Sequence, residues 1–176
     1  MAISELEPLS QAQPESESIH LLLGACYLEV GESEKAEAQF RQAVQLNPNK
    51  ASNYSALGQA LRKEGPQRTD EGIGYLKKAL LLNPSDTESK LTLALCYKDK
   101  SDLPTAQRLL EEVIRIDPDS LMAHRVLARI DYQLGKKSEG DKETGIVAQL
   151  EAKERQRDAE HKRQRLQLQQ QSSPFQ

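Results

Sequence analysis

The 176-residue chain is 37% hydrophobic and 29% charged, with no tryptophan, two phenylalanines and a net charge of -3. That balance exerts no global pull on nucleic acid or an anionic membrane, so neither is an expected partner. The longest mainly apolar run, residues 21–28, is far too short to cross a bilayer, and acidic residues stand where a signal peptide would be basic; a soluble chain is expected, cytoplasmic if Met1 is the true start and otherwise cytoplasmic or exported.

Leucine, alanine, glutamate, glutamine and lysine are plentiful, a helix-forming mixture that leaves little from which to build strands. In residues 1–16 the spacing of Ala2, Leu6, Leu9 and Ala12 predicts one short helix, stopped by Pro14 and shortened by Pro8. Residues 17–50 follow as a helix pair: His20, Leu23, Gly24 and Tyr27 form one stripe, and Ala36, Phe40 and Ala43 form a second that faces it. The pair ends at Asn47-Pro48, because proline disfavours helix at the residue before it and cannot donate to the ladder.

Residues 51–86 repeat the pattern with Tyr54, Leu57, Gly58 and Leu61, then Gly72, Leu76, Ala79 and Pro84. Two extra residues lie within 64–72, where a Gly65-Pro66 turn and a Thr69 cap are expected to form a surface loop; the sharper reading is a partner contact through Arg68. Residues 87–120 supply Leu93, Ala94 and Tyr97, then Ala106, Leu110, Val113 and Pro118. Asn49, Ser85 or Asp86, and Asp119 or Ser120 are the expected caps of the helices that follow each proline.

Residues 121–152 keep Leu127, Ala128 and Gly135, but Asp131, Gly140 and Thr144 replace the stripe, which makes this a degenerate terminal unit. Ile146, Val147 and Leu150 are offered to the core before residues 153–165 turn polar all round. These form a charged helical extension supported by pairs such as Glu151 with Arg155 and Asp158 with Lys162. Residues 166–176 are a Gln-rich, low-complexity tail expected to be disordered.

Pro48, Pro84 and Pro118 recur at 36 and then 34 residues, with the other stripe positions in phase. The pattern Leu-Gly-x2-Tyr, Ala-x3-Phe, Ala and Pro resembles the tetratricopeptide repeat, with His20 where tryptophan often stands. In that frame residues 1–16 are the second half of a preceding repeat or an N-terminal cap. The resemblance implies an all-α, right-handed superhelical solenoid of antiparallel helix pairs, in which each unit buries its stripe only against its neighbours. It also implies a non-catalytic scaffold that binds a partner peptide or helix in a concave groove. The alternative, kept open by the start within a repeat, is the C-terminal substrate-recruiting or assembly module of a larger enzyme or secretion component, truncated at Met1.

In the family the groove is lined from positions 2, 5, 9 and 12 of each first helix. Here these hold Ser18, Leu21, Ala25 and Leu28; Ser52, Ser55, Gln59 and Arg62; Glu88, Leu91, Leu95 and Lys98; and Met122, Arg125, Arg129 and Tyr132. The leucines could hold apolar side chains of a protein or peptide partner, and the four basic residues could pair with its acidic groups; self-association through the same exposed surface is a third outcome. The carboxylate clamp of chaperone-tail-binding relatives is missing, because Leu21, Ala25, Ala56, Glu88 and Thr92 occupy its positions.

No catalytic, metal or cofactor site is expected. Cys26 and Cys96 share one register two units apart, about 20 Å from each other with helices roughly 10 Å apart, too far to bridge. His20 and His124 sit at a packing position, and His161 lies in the charged extension without a second ligand at metal-binding spacing. No nucleophile elbow, phosphate loop or kinase signature occurs.

Overall fold

The computed structural model describes residues 2–171, with side chains through Arg165 and at Gln167; among these residues there are nine α-helices and no strand. They are α1 (Ala2–Ala12), α2 (Glu17–Glu29), α3 (Ser33–Leu46), α4 (Ala51–Lys63), α5 (Pro66–Leu82), α6 (Thr87–Asp99), α7 (Leu103–Ile116), α8 (Leu121–Gln133) and α9 (Lys137–Gln171). Residues 1–117 form one compact unit holding α1 to α7, and residues 118–176 form a second holding α8 and α9. In each, consecutive helices joined by two to four residues pack side by side as an all-α repeat of helix pairs.

Each Asn-Pro or Asp-Pro ends a helix where the sequence places it: Asn47, Asn83 and Asp117 are the C-terminal caps of α3, α5 and α7. At Pro14, Pro48 and Pro118 the side chain four places into the following helix then fastens the turn, while after Pro84 that place holds Lys90, which pairs with Glu112 instead. Tyr54 donates its hydroxyl to the Pro48 carbonyl at 2.9 Å, and the Nε2 atoms of His20 and His124 lie 2.9 and 3.0 Å from the carbonyls of Pro14 and Pro118. Within pairs, the turns close with a backbone bond from the residue after a left-handed Gly31, Ser101 or Gly135 to a carbonyl five residues back, at 2.8 Å in each.

Several local expectations are corrected. Helix α1 runs through Pro8, which is exposed and forgoes one backbone donor without stopping it. Lys50, not Asn49, occupies the cap position of α4; Asp86 caps α6 by accepting from the Glu88 N–H at 3.2 Å. The two inserted residues do not form a loop. Gly65, at φ +114°, hands the chain directly to Pro66 at the first turn of α5, which is 17 residues long where α3 is 14. Thr69 lies inside α5 with its hydroxyl on the Gly65 carbonyl. Helix α9 continues to Gln171, past the limit of 165 expected for the charged extension, and residues 172–176 of the expected disordered tail lie outside the described residues.

The core of residues 1–117 is the set of facing stripes. Leu23, Ala36, Phe40, Leu57, Leu61, Leu76, Ala79, Ala94, Leu110 and Val113 are essentially buried, and Leu6 of α1 clusters with Leu23, Ala36, Phe40, Leu57 and Leu61. Tyr27 reaches α1 as well, donating to Glu7 at 2.6 Å; that bond and burial push its phenol up to about 12. The glycines mark the closest helix approaches. A Cβ on Gly58 would lie 2.6 Å from Leu76 Cγ and 3.0 Å from the Gly72 carbonyl oxygen.

Helices α3 and α5 are joined by a charged network. Arg68 donates to Glu37 at 2.7 Å, to Glu71 at 2.9 Å and to Glu64 at 3.1 Å, and Arg41 bonds Glu37, Glu71 and the Tyr75 hydroxyl. Arg68 is thus an internal tie, and the partner contact envisaged for it is not needed to explain the insertion. Burial pushes the Glu37 carboxyl up, but its bonds from Arg68 and Arg41 outweigh that and leave it lowered. Glu64, whose side chain is only 7% exposed, is pushed up to about 6 by burial and by Glu37 beside it.

Two outcomes are expected. Gly58→Ala should lower stability by about 1–3 kcal/mol in urea titration, since neither Leu76 nor the Gly72 backbone can withdraw far. Glu64 holds its proton more tightly in the folded chain than in the unfolded one, so its ionisation costs stability as pH rises from the ordinary carboxylate range through about 6. Glu64→Gln, neutral at every pH, should therefore raise the urea midpoint above wild type at about pH 8 and leave it nearly unchanged at about pH 4.5.

Candidate functional site

An open cleft of about 500 Å³ follows α2 and α4 to the start of α6. Helix α2 contributes Leu21, Ala25 and Leu28, and α4 contributes Ser52, Ser55, Ala56 and Gln59. Small side chains at Ala25, Ser52, Ser55 and Ala56 are what leave the space; Leu28 and Ser55 are buried and form its floor. Glu29 and Lys63 stand at one end, and Asn83, Asp86 and Glu88 at the other.

Of the residues expected to line a groove, this cleft brings together Leu21, Ala25, Leu28, Ser52, Ser55, Gln59 and Glu88. Leu91, Leu95 and Lys98 of α6 are half-buried and lie outside its lining, as does Arg62. Arg125, Arg129 and Tyr132 are exposed on α8, in the other compact unit. Glu29, Lys63, Asn83 and Asp86 were not anticipated. Two of them were within reach of the pattern, because Glu29 and Lys63 follow Ala25 and Gln59 by four residues and so continue the same face of each helix.

The basic side chains are largely committed inside the chain, which the linear pattern does not show. Asp99 accepts from Arg62 at 2.9 Å and from Lys98 at 3.1 Å. Arg125 pairs with Glu151 at 2.5 Å, and that bond holds the Glu151 carboxyl below its usual range. Tyr132 serves packing between α8 and α9: its hydroxyl donates to Asp141 at 2.7 Å, and its ring fills the place a side chain on Gly140 would take. Arg129 is exposed, with no ion pair to any described residue.

His20 and His124 hold turns, as described, with their second nitrogens 2.8 Å from Gln39 and 2.5 Å from Glu143. Among the described residues no group of three or more histidine, cysteine or acidic side chains could hold a metal ion. No described helix is long and apolar enough to cross a membrane. Both cysteines are free thiols, but they differ: Cys96 is fully buried, which pushes it up to about 11, whereas Cys26 is half-buried. An aromatic disulfide reagent near neutral pH should therefore modify Cys26 in the native chain and Cys96 only after denaturant is added; equal rates would contradict this burial.

A tetratricopeptide-repeat profile matches residues 2–61 and 65–130. Superkiller protein 3 of Schizosaccharomyces pombe is 26% identical over 117 residues, which are 66% of this chain and 8% of that protein. The peroxisomal targeting signal receptor of Kluyveromyces lactis is 31% identical over 111 residues, 60% of this chain and 19% of that protein. The chain spans between 8% and 19% of the length of the curated relatives it matches. Among solved structures, MamA aligns with a TM-score of 0.73 over 88% of this chain and 90% of its own, at 23% identity, a likeness of fold.

Proposed function

The chain belongs to the tetratricopeptide-repeat family, whose members are generally non-catalytic scaffolds that bind proteins or peptides, and we propose that it binds an extended partner segment in the cleft along α2 and α4. The observation that carries this reading is the cleft itself: an open slot with apolar side chains on one helix and small or polar ones on the next, sized for a few residues of peptide rather than for a globular surface. The name of the K. lactis relative, a targeting signal receptor, is in keeping with recognition of a short segment. The repeat divisions at residues 17–50, 51–86, 87–120 and 121–152 belong to the same proposal, with 1–16 as a half-unit.

Apart from that cleft, and within the second unit alone, Arg129 is the basic side chain left for acidic groups of a partner, with Arg125 after release from Glu151; in the first unit Arg62 and Lys98 share Asp99 and contribute little. A second reading, the recruiting module of a larger enzyme or assembly, is favoured by the greater length of the curated relatives. The intact mass of the endogenous protein separates the two.

Ala25 is exposed within the cleft, so Ala25→Trp should fill the slot without disturbing the core. Proteins captured from cells by the wild-type chain should be lost from this variant while its thermal melt is unchanged. Capture that survives the filled slot would overturn the reading.

A further inference from the structure

Two polar side chains that are buried or half-buried in the cleft bond no described residue. Ser55 is only 6% exposed, and its hydroxyl bonds no described residue. Gln59, one turn further along α4, is half-buried on the same face, and its carboxamide likewise bonds no described residue. A hydroxyl on the cleft floor and a carboxamide one turn away can each exchange water for a peptide group, and the carboxamide offers one donor side and one acceptor side, the complement of a peptide unit.

The charges are unevenly placed along the same slot. Glu29 and Lys63 offset each other at one end. At the other end Asp86 and Glu88 stand together, and the lysines at the starts of α4 and α6 are already engaged, Lys50 with Glu17 at 2.7 Å and Lys90 with Glu112 at 2.8 Å. Asp86 spends its oxygens on the Glu88 N–H and the Ser89 hydroxyl, neither of which is a cation. Glu88 is exposed, and no described side chain pairs with it.

We propose that this cleft recognises an extended peptide whose backbone is held by Gln59 and Ser55, with an apolar side chain against Leu21 and Leu28 and a lysine or arginine directed to Asp86 and Glu88. The inference rests on reading the cleft as a peptide site and adds which peptides it admits. An acidic segment is disfavoured at this end of the slot, where it would meet two carboxylates.

The test is a random nonapeptide library displayed on phage and panned against the full 176-residue chain, followed by titration of the enriched peptides. Enriched sequences should pair an apolar residue with a nearby lysine or arginine. Their binding should weaken about threefold with Gln59→Ala, about tenfold with Glu88→Lys, and further as salt is raised. Enrichment of acidic peptides, or binding indifferent to Glu88→Lys but lost with Ala25→Trp, would overturn the charge assignment and leave the cleft as a peptide site. Enrichment no different between wild type and Ala25→Trp would remove both. Glu88→Gln serves as a milder second variant should the reversal disturb the start of α6.

Discussion

The contact on which the first unit depends is the one in which paired helices touch backbone to backbone. Where α4 crosses α5, a side chain on either glycine would strike the other's carbonyl: 3.0 Å from Gly58 to the Gly72 oxygen and 3.0 Å from Gly72 to the Gly58 oxygen. Elsewhere a large ring takes the room that a missing side chain provides, as Phe40 does over Gly24. Alanines with no exposed surface, among them Ala36, Ala79, Ala94 and Ala106, repeat the same economy of volume. Dispersion falls off steeply with distance, so these short approaches make the facing leucines effective and tolerate no added methyl group.

The turns do a different job. Prolines mark the ends of the pairs, and at Pro14, Pro48 and Pro118 the ring or hydroxyl fastened to the carbonyl ties the next helix to that ending, whereas after Pro84 the same place holds Lys90, which pairs with Glu112. Histidine and tyrosine serve equally because the task needs only a donor at the end of a flat side chain. With stripe positions given to packing and turn positions to connection, the remaining face of α2 and α4 is under no structural obligation. That is why small residues can collect there and a slot can exist at all.

The sequence shows the fold well, because the features that set it recur: the proline period, the stripe of Leu23, Gly24 and Tyr27, and its echoes in later units. Single events were harder to read. The insertion near Gly65 carries the marks of a loop, yet proline at the first helical position and a glycine free to take φ +114° let the same residues lengthen α5. Of the site, the α2 and α4 side chains follow from register, since helical periodicity fixes which positions share a face. The fate of the basic residues does not. Asp99 lies one residue after Lys98 but 37 after Arg62, and nothing in the linear order says that one carboxylate will hold both. Tyr132 was equally opaque, because its role is set by Gly140 on the next helix.

Helix α9 is 35 residues long where its partner α8 is 13, so α8 can accompany only about the first 20 Å of a rod of about 52 Å. Side chains from Ala152 through Arg165 are all exposed, with pairs along the helix itself such as Glu151 with Arg155. A stretch with no core to satisfy can change length without penalty to packing. Each residue gained or lost there alters its reach by about 1.5 Å and swings whatever it carries by about 100°. Within the second unit, reach and azimuth are therefore free to drift over generations while the paired helices at its root stay fixed.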